Sequence, residues 1–209
     1  MINFKKWISP LCLIFSLVFA VSSLYAPWWG IWNSKADEVA TNNTKIVYYM
    51  PLQTIIASDA KANISITISF NDIAENDTNK STLSSFFATT LDLSVVGIVL
   101  TIVTLALTMI TVLMKRTFAY TWLIGIIGAI LLFLALFYIA IWITPTFMKF
   151  ANIMPAEIGT ISGTQITLFW GSAGTWVWGA GYGWLLLLTS ALLGGIGSML
   201  GRQIQKRAE

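Results

Sequence analysis

The chain has 209 residues, of which 56% are hydrophobic and only 10% charged, and its net charge is +3. A soluble domain carries about 25% charged residues, so this composition excludes an ordinary water-facing surface and points to an integral membrane protein. Histidine is absent and Cys12 is the single cysteine, which removes the commonest metal ligand, the usual base near neutral pH, any intramolecular disulfide and any thiolate metal cluster.

Residues 7–26 contain no charged side chain and follow Lys5 and Lys6. About twenty apolar residues suffice to cross ~30 Å of hydrocarbon as a helix. A basic start before an apolar centre also fits a cleaved signal peptide. Pro27 disfavours a cut after Ala26, and Leu24 is not small; a cut after Ser22 fits by size, but the reading preferred is a retained helix. Pro27-Trp28-Trp29-Gly30-Ile31-Trp32 then marks a membrane–water boundary, since indole rings favour headgroup depth.

Residues 27–91 form the first large loop. Ile64, Ile66, Ile68 and Phe70 alternate with Ser65, Thr67 and Ser69, a period of two that predicts a strand. Lys45 to Ile56 is a second strand candidate, interrupted at Pro51, which cannot donate to a ladder. Ser58 to Lys61 reads as the turn between them. Asn71 to Thr82 reads as a polar, flexible surface loop. The loop is too small to stand alone, so the expectation is a sheet of three to five strands leaning on membrane helices.

The second span is expected over 92–114, with Asp92 capping its N-terminus, and the third over 118–143. The short connection through Lys115-Arg116 makes them antiparallel neighbours. A second loop covers 144–181, in which Thr164 to Phe169 alternates and offers one more strand. The fourth span covers 182–200. The fold class is thus an all-α four-helix transmembrane bundle with a small extracytoplasmic antiparallel β-sheet, in one integral membrane domain. With Met1 inside, the inner segments hold seven basic residues and one acid, a net +6, and the two outer loops together with Asp92 at the lip of the second span hold five lysines and eight acids, a net −3. The positive-inside rule then places both termini in the cytoplasm and both large loops outside the cell membrane.

Four groups of residues are candidates for a role. The sequons at Asn42, Asn63, Asn76 and Asn79 all fall in the first loop and are candidate glycosylation sites. Glycans without loop disulfides would suit an archaeal surface. Thr101, Thr104, Thr108 and Thr111 share one helical face, and Gly125, Ala129, Gly194, Gly197 and Gly201 are small residues that allow helices to approach closely. The bland reading of both sets is helix packing, and a threonine-lined pore is the alternative. Trp28, Trp29 and Trp32 in the first loop, with Trp170, Trp176, Trp178 and Trp184 in or beside the second, read as an interfacial aromatic belt. Their functional version is a docking surface for a lipid, a quinone-like molecule or a partner subunit. The spans lack ionisable groups in their interiors, which argues against proton relays and ion-coupled transport. No catalytic, cofactor or metal residues are nominated, and nothing in the pattern addresses a nucleic acid.

Four spans, inner termini, a larger first loop with strand character and a shorter second loop resemble the claudin-like tetraspan superfamily. Gly30-Ile31-Trp32 after Trp28 looks like the G-L-W signature of that family's first loop, while the paired cysteines that follow it there are absent here. The resemblance implies an outer sheet over a left-handed four-helix bundle and a role in lateral assembly or partner regulation. The expected partners are the lipid bilayer and either a second copy or another membrane protein. The expected function is a non-enzymatic protein acting by assembly, as self-association or as an accessory subunit of a larger complex. A channel or carrier for a neutral or apolar solute is the alternative.

Overall fold

The computed structural model describes residues 7–33, 44–49, 54–59, 64–69, 78–114, 118, 120–148, 169–173 and 176–205. The elements in chain order are α1 (Ile8–Tyr25), β1 (Trp29–Asn33), β2 (Thr44–Tyr49), β3 (Thr54–Asp59), β4 (Ile64–Ser69), α2 (Thr78–Met114), α3 (Thr121–Met148), β5 (Gly171–Ala173), β6 (Trp176–Ala180) and α4 (Tyr182–Gln205). Each of the four helices contains a stretch long and apolar enough to cross a membrane.

The chain divides into two compact units, Met1–Ser23 with Asp92–Leu136 and Leu186–Glu209, and Leu24–Leu91 with Phe137–Leu185. The first unit is a helix bundle that buries Leu13, Leu132, Leu136 and Leu187 together with many small polar side chains, while large apolar side chains cover its outside. Ser9 and Ser16 on α1, Thr101, Thr104, Thr108 and Thr111 on α2, and Ser190 and Ser198 on α4 are buried. Large apolar side chains such as Phe15, Val18, Ile102, Leu134 and Ile196 are exposed. In water this arrangement would forfeit most of the hydrophobic drive; against lipid tails it carries no penalty, and close packing of small residues takes over as the cohesive force.

The helices carry polar or aromatic markers at matching intervals. Trp7, just before α1, and Tyr25 at its end are 18 residues apart, Trp122 and Trp142 are 20 apart on α3, and Tyr182 and Arg202 are 20 apart on α4. At 1.5 Å per residue these intervals are about 27–30 Å, the thickness of a bilayer's hydrocarbon core. The three intervals thus match one hydrocarbon thickness, and with four such helices the chain is a multi-pass membrane protein. Counted back the same distance from Met114, the slab on α2 ends near Ser94.

The second helix begins at Thr78, well before the expected start at residue 92, and takes in the end of the expected loop over 71–82. Asp92 therefore caps nothing; it is an exposed residue inside α2, at the edge of the slab. The stretch Ser81 to Leu91, rich in hydroxyls, lies within the helix and does not end it. Phe86, Phe87 and Thr90 give that stretch a buried face, and the Phe86 ring stacks on Tyr138 of α3 at 5.3 Å. Helix α3 also runs past residue 143 to Met148, with Pro145 in its last turns, and α4 continues to Gln205. Tyr120, just before α3, adopts φ 68°. This left-handed residue turns the chain while the Thr121 hydroxyl donates to the Phe118 carbonyl at 2.9 Å.

The second unit contains one antiparallel sheet of six strands in the order β4-β3-β2-β1-β6-β5, one strand beyond the upper end of the expectation. Lys45 to Ile56 is not a single strand. It splits into β2 and β3, which pair antiparallel from Thr44↔Asp59 to Tyr49↔Thr54, because Pro51 falls in the connection between them. The hairpin from β3 to β4 is as expected, but Ser58 and Asp59 still belong to β3, and the pairing reaches Asp59↔Ile64. The extra strands lie in the two tryptophan-rich stretches, which read as boundary and belt when periodicity alone is followed. The expected second-loop strand, Thr164 to Phe169, lies outside the described residues apart from Phe169, and Asn42, Asn63 and Asn76 lie outside them too. Asn79 is in the first turn of α2 and not in a loop.

Candidate functional site

The two tryptophan-rich stretches meet as neighbouring strands. β1 pairs with β6 from Trp29↔Ala180 through Ile31↔Trp178 to Asn33↔Trp176. Cross-strand partners share a face and side chains alternate along a strand, so Trp29 and Trp178 point to the same side of the sheet. Beyond the ladder, the Gly181 amide donates to the Trp28 carbonyl and the Gly183 amide to the Pro27 carbonyl, both at 2.8 Å. The start of α4 is thereby fastened to the residues that follow α1.

Glycine makes this junction possible. A Cβ on Gly181 would run into the Pro27 carbonyl, and one on Gly183 would run into the Trp28 ring and the Ala26 carbonyl. The G-A-G-Y-G-W run therefore has a packing reason for Gly181 and Gly183, and a nucleotide-binding role for these glycines has no geometry to support it. The result is an aromatic knot. Trp28, Trp29 and Trp178 each have 0% exposure. The Trp29 indole donates to the Phe169 carbonyl at 3.2 Å, and the Phe169 ring lies 5.4 Å from that of Trp184.

The belt reading thus needs correction for Trp28, Trp29 and Trp178, which are core and touch no headgroup region. Their rings are large enough to fill the space under a small sheet, and this unit buries them as a soluble core would. Trp170 is exposed, with its ring against Gly179, and Trp184 is half-buried. Trp32 and Trp176 are placed by backbone only, in β1 and β6. Among the described residues of this unit, exposed aromatics include Tyr25, Trp142, Trp170 and Tyr182 instead. Sequence reasoning misses Tyr25, Trp142 and Tyr182 because their exposure is visible only once the helices and their neighbours are placed.

The structure brings the small residues of different helices together. A Cβ on Gly125 of α3 would collide with Ser198 of α4 and approach Thr104 of α2. Gly97 and Gly128 approach so closely that a Cβ on either would stand 3.1 Å from the other's carbonyl oxygen. Gly194 faces Ser16 and Ala129, Gly197 faces Leu13 and Cys12, and Gly201 faces Ser9. The Ser9 hydroxyl donates to the Gly197 carbonyl at 2.7 Å and the Ser16 hydroxyl to the Ser190 carbonyl at 2.8 Å. These seams are satisfied within one chain. The threonines are 0–5% exposed, and the hydroxyls of Thr101, Thr104 and Thr111 donate to the carbonyls of Gly97, Leu100 and Leu107 in their own helix. At the opposite end of the helices, the Arg202 guanidinium lies 4.5 Å above the Trp122 ring, a cation–π contact suited to a headgroup boundary.

No protein-family model matches the chain, and a search of curated proteins finds no match. The site is therefore read from its own geometry.

Proposed function

We propose that the chain is a non-enzymatic multi-pass protein of the cell membrane that works by assembly, either with itself or as an accessory subunit of a larger membrane complex. In this reading both termini are cytoplasmic and the sheet is extracytoplasmic, as the net +6 and net −3 of the two sets of segments favour. Glycans at Asn42, Asn63, Asn76 or Asn79 would accompany that placement. A claudin-like architecture is supported by a sheet in which strands of the first loop are joined by strands of the second; the missing cysteines leave the family's activity out of the proposal.

The observation that carries the assembly reading is β4. It is the outermost strand on its side of the sheet, Ser65, Ile66 and Thr67 are exposed, and Ile66 is 54% exposed. Ile-Ser-Ile-Thr-Ile-Ser carries no charge and no proline, the devices by which lone edges are protected. It is also self-complementary. An antiparallel pairing centred on Ile66 sets Ile64 opposite Ile68 and Ser65 opposite Thr67, so one register keeps apolar with apolar and hydroxyl with hydroxyl. The pore reading has weaker support, because the threonine hydroxyls are turned to their own backbone.

Native mass spectrometry of gently extracted protein tests the proposal. The expected result is a dimer, a higher oligomer or a stable complex with another membrane protein, and Ile66→Lys is expected to shift a self-associated form towards monomer. A monomer without any co-purifying protein, in several mild detergents, would overturn it.

A further inference from the structure

The indole N–H groups of the aromatic knot are not all built in alike. That of Trp29 has an acceptor, the Phe169 carbonyl. Those of Trp178 and Trp184 are buried and meet none. Trp178 is 0% exposed. A buried donor without an acceptor costs free energy comparable to a lost hydrogen bond, so native structures rarely keep one without a ligand, water or ion to satisfy it. Two in one unit, without an acceptor among the described residues, call for an acceptor from elsewhere.

Both tryptophans border one segment, Phe169 to Gly171. Trp178 pairs across the sheet with Gly171, two residues beyond Phe169, and the Phe169 ring meets that of Trp184. The chemistry of the surroundings selects the acceptor. Pro27, Trp28, Trp29, Phe169, Trp178 and Trp184 carry no charge, and burying a phosphate among them without a cation would be expensive. A neutral carbonyl oxygen suits two N–H donors. The depth suits it too: Trp184 lies two residues from Tyr182, where α4 leaves the hydrocarbon slab, and Tyr182 and Leu185 are exposed on either side of it.

We propose that Trp178 and Trp184 bind an apolar or amphiphilic membrane molecule through a neutral carbonyl oxygen, such as that of a lipid ester or a quinone ring. The rest of the molecule extends along the exposed start of α4. This site is independent of the assembly surface on β4.

The test uses the full-length protein, delipidated in detergent, with three probes: a diester phosphatidylcholine, a diether phosphatidylcholine with the same headgroup, and a naphthoquinone with an isoprenoid tail. Retention is read by native mass spectrometry and stabilisation by thermal melting. The expected result is retention of the diester lipid, the quinone or both, with the diether lipid retained about tenfold less, as befits loss of hydrogen bonds. Diester-only retention assigns a lipid and quinone-only retention a quinone, and either supports the site. Trp178→Phe and Trp184→Phe keep an aromatic ring and remove the donor. Each should lower retention several-fold, while the probe-free Trp178→Phe protein melts at or above the wild-type temperature because an orphaned donor is gone. Trp29→Phe, which loses a satisfied bond, should melt lower yet retain the probe. Equal retention of diester and diether lipids without quinone binding, wild-type retention in both Phe variants, or a probe-free Trp178→Phe protein that melts well below wild type would each overturn the proposal.

Discussion

The two units of this chain solve the problem of cohesion in opposite ways. The bundle buries Ser9, Ser16, Thr104 and Ser198 and leaves Phe15, Val18 and Ile102 outside; the sheet unit buries Trp28, Trp29 and Trp178. Small residues hold the first together by letting backbones approach, as at Gly97 and Gly128, where each Cα faces the other's carbonyl. Large rings hold the second together by filling volume under a thin sheet. The solvent, then, decides which side chains are interior. Against lipid tails, burying apolar area brings little free-energy gain, so hydroxyls and glycines share the bundle's contacts with its buried leucines, whereas the sheet unit relies on buried rings.

Substitutions put this contrast to the test. The largest effects are expected where glycine permits contact in either unit. Gly183→Val in the knot and Gly125→Val in the bundle each force a side chain into occupied space, and a loss of about 3 kcal/mol or more is expected; the measure is the yield of monodisperse protein and its melting temperature. A smaller effect tests depth along one helix. Ile102 and Thr89 are both exposed residues of α2, but only Ile102 lies within the slab. Ile102→Arg should cost about 2.5–3.5 kcal/mol and Thr89→Arg less than about 0.5 kcal/mol, read by insertion efficiency or by reversible unfolding in bicelles. Equal costs would refute the slab deduced from the marker spacing.

The smallest pair separates two kinds of buried hydroxyl. Ser16 bonds across to α4, whereas Thr104 bonds to its own helix. Ser16→Ala should destabilise by about 0.6–1 kcal/mol, and Thr104→Val, which keeps the shape and frees only a local bond, by less than about 0.5 kcal/mol. If reconstituted vesicles instead lost solute flux in Thr104→Val, the packing account of the threonine face would give way to the pore.

Much of the architecture was legible in the chain itself. The number of spans, their approximate limits and the strand character of Ile64 to Ser69 follow from composition and period, because hydrocarbon thickness and the pleat each impose one length scale on any sequence. The small residues at Gly125, Ala129, Gly194, Gly197 and Gly201 stand out for the same local reason. Local pattern failed where the cause was distant. The start of α2 at Thr78 depends on Phe86 meeting Tyr138, 52 positions along the chain. β1 and β6 carry no alternating pattern that distinguishes a strand from a boundary, and they are strands because Trp29 and Trp178 share one buried face once the two stretches pair. Whether a tryptophan faces headgroups or a core is likewise set by its partner strand. How many times the chain can cross a membrane is written in its residues, because span length depends on local composition. That its tryptophans close a core depends on the folded chain, since burial is a property of neighbours and not of the residue.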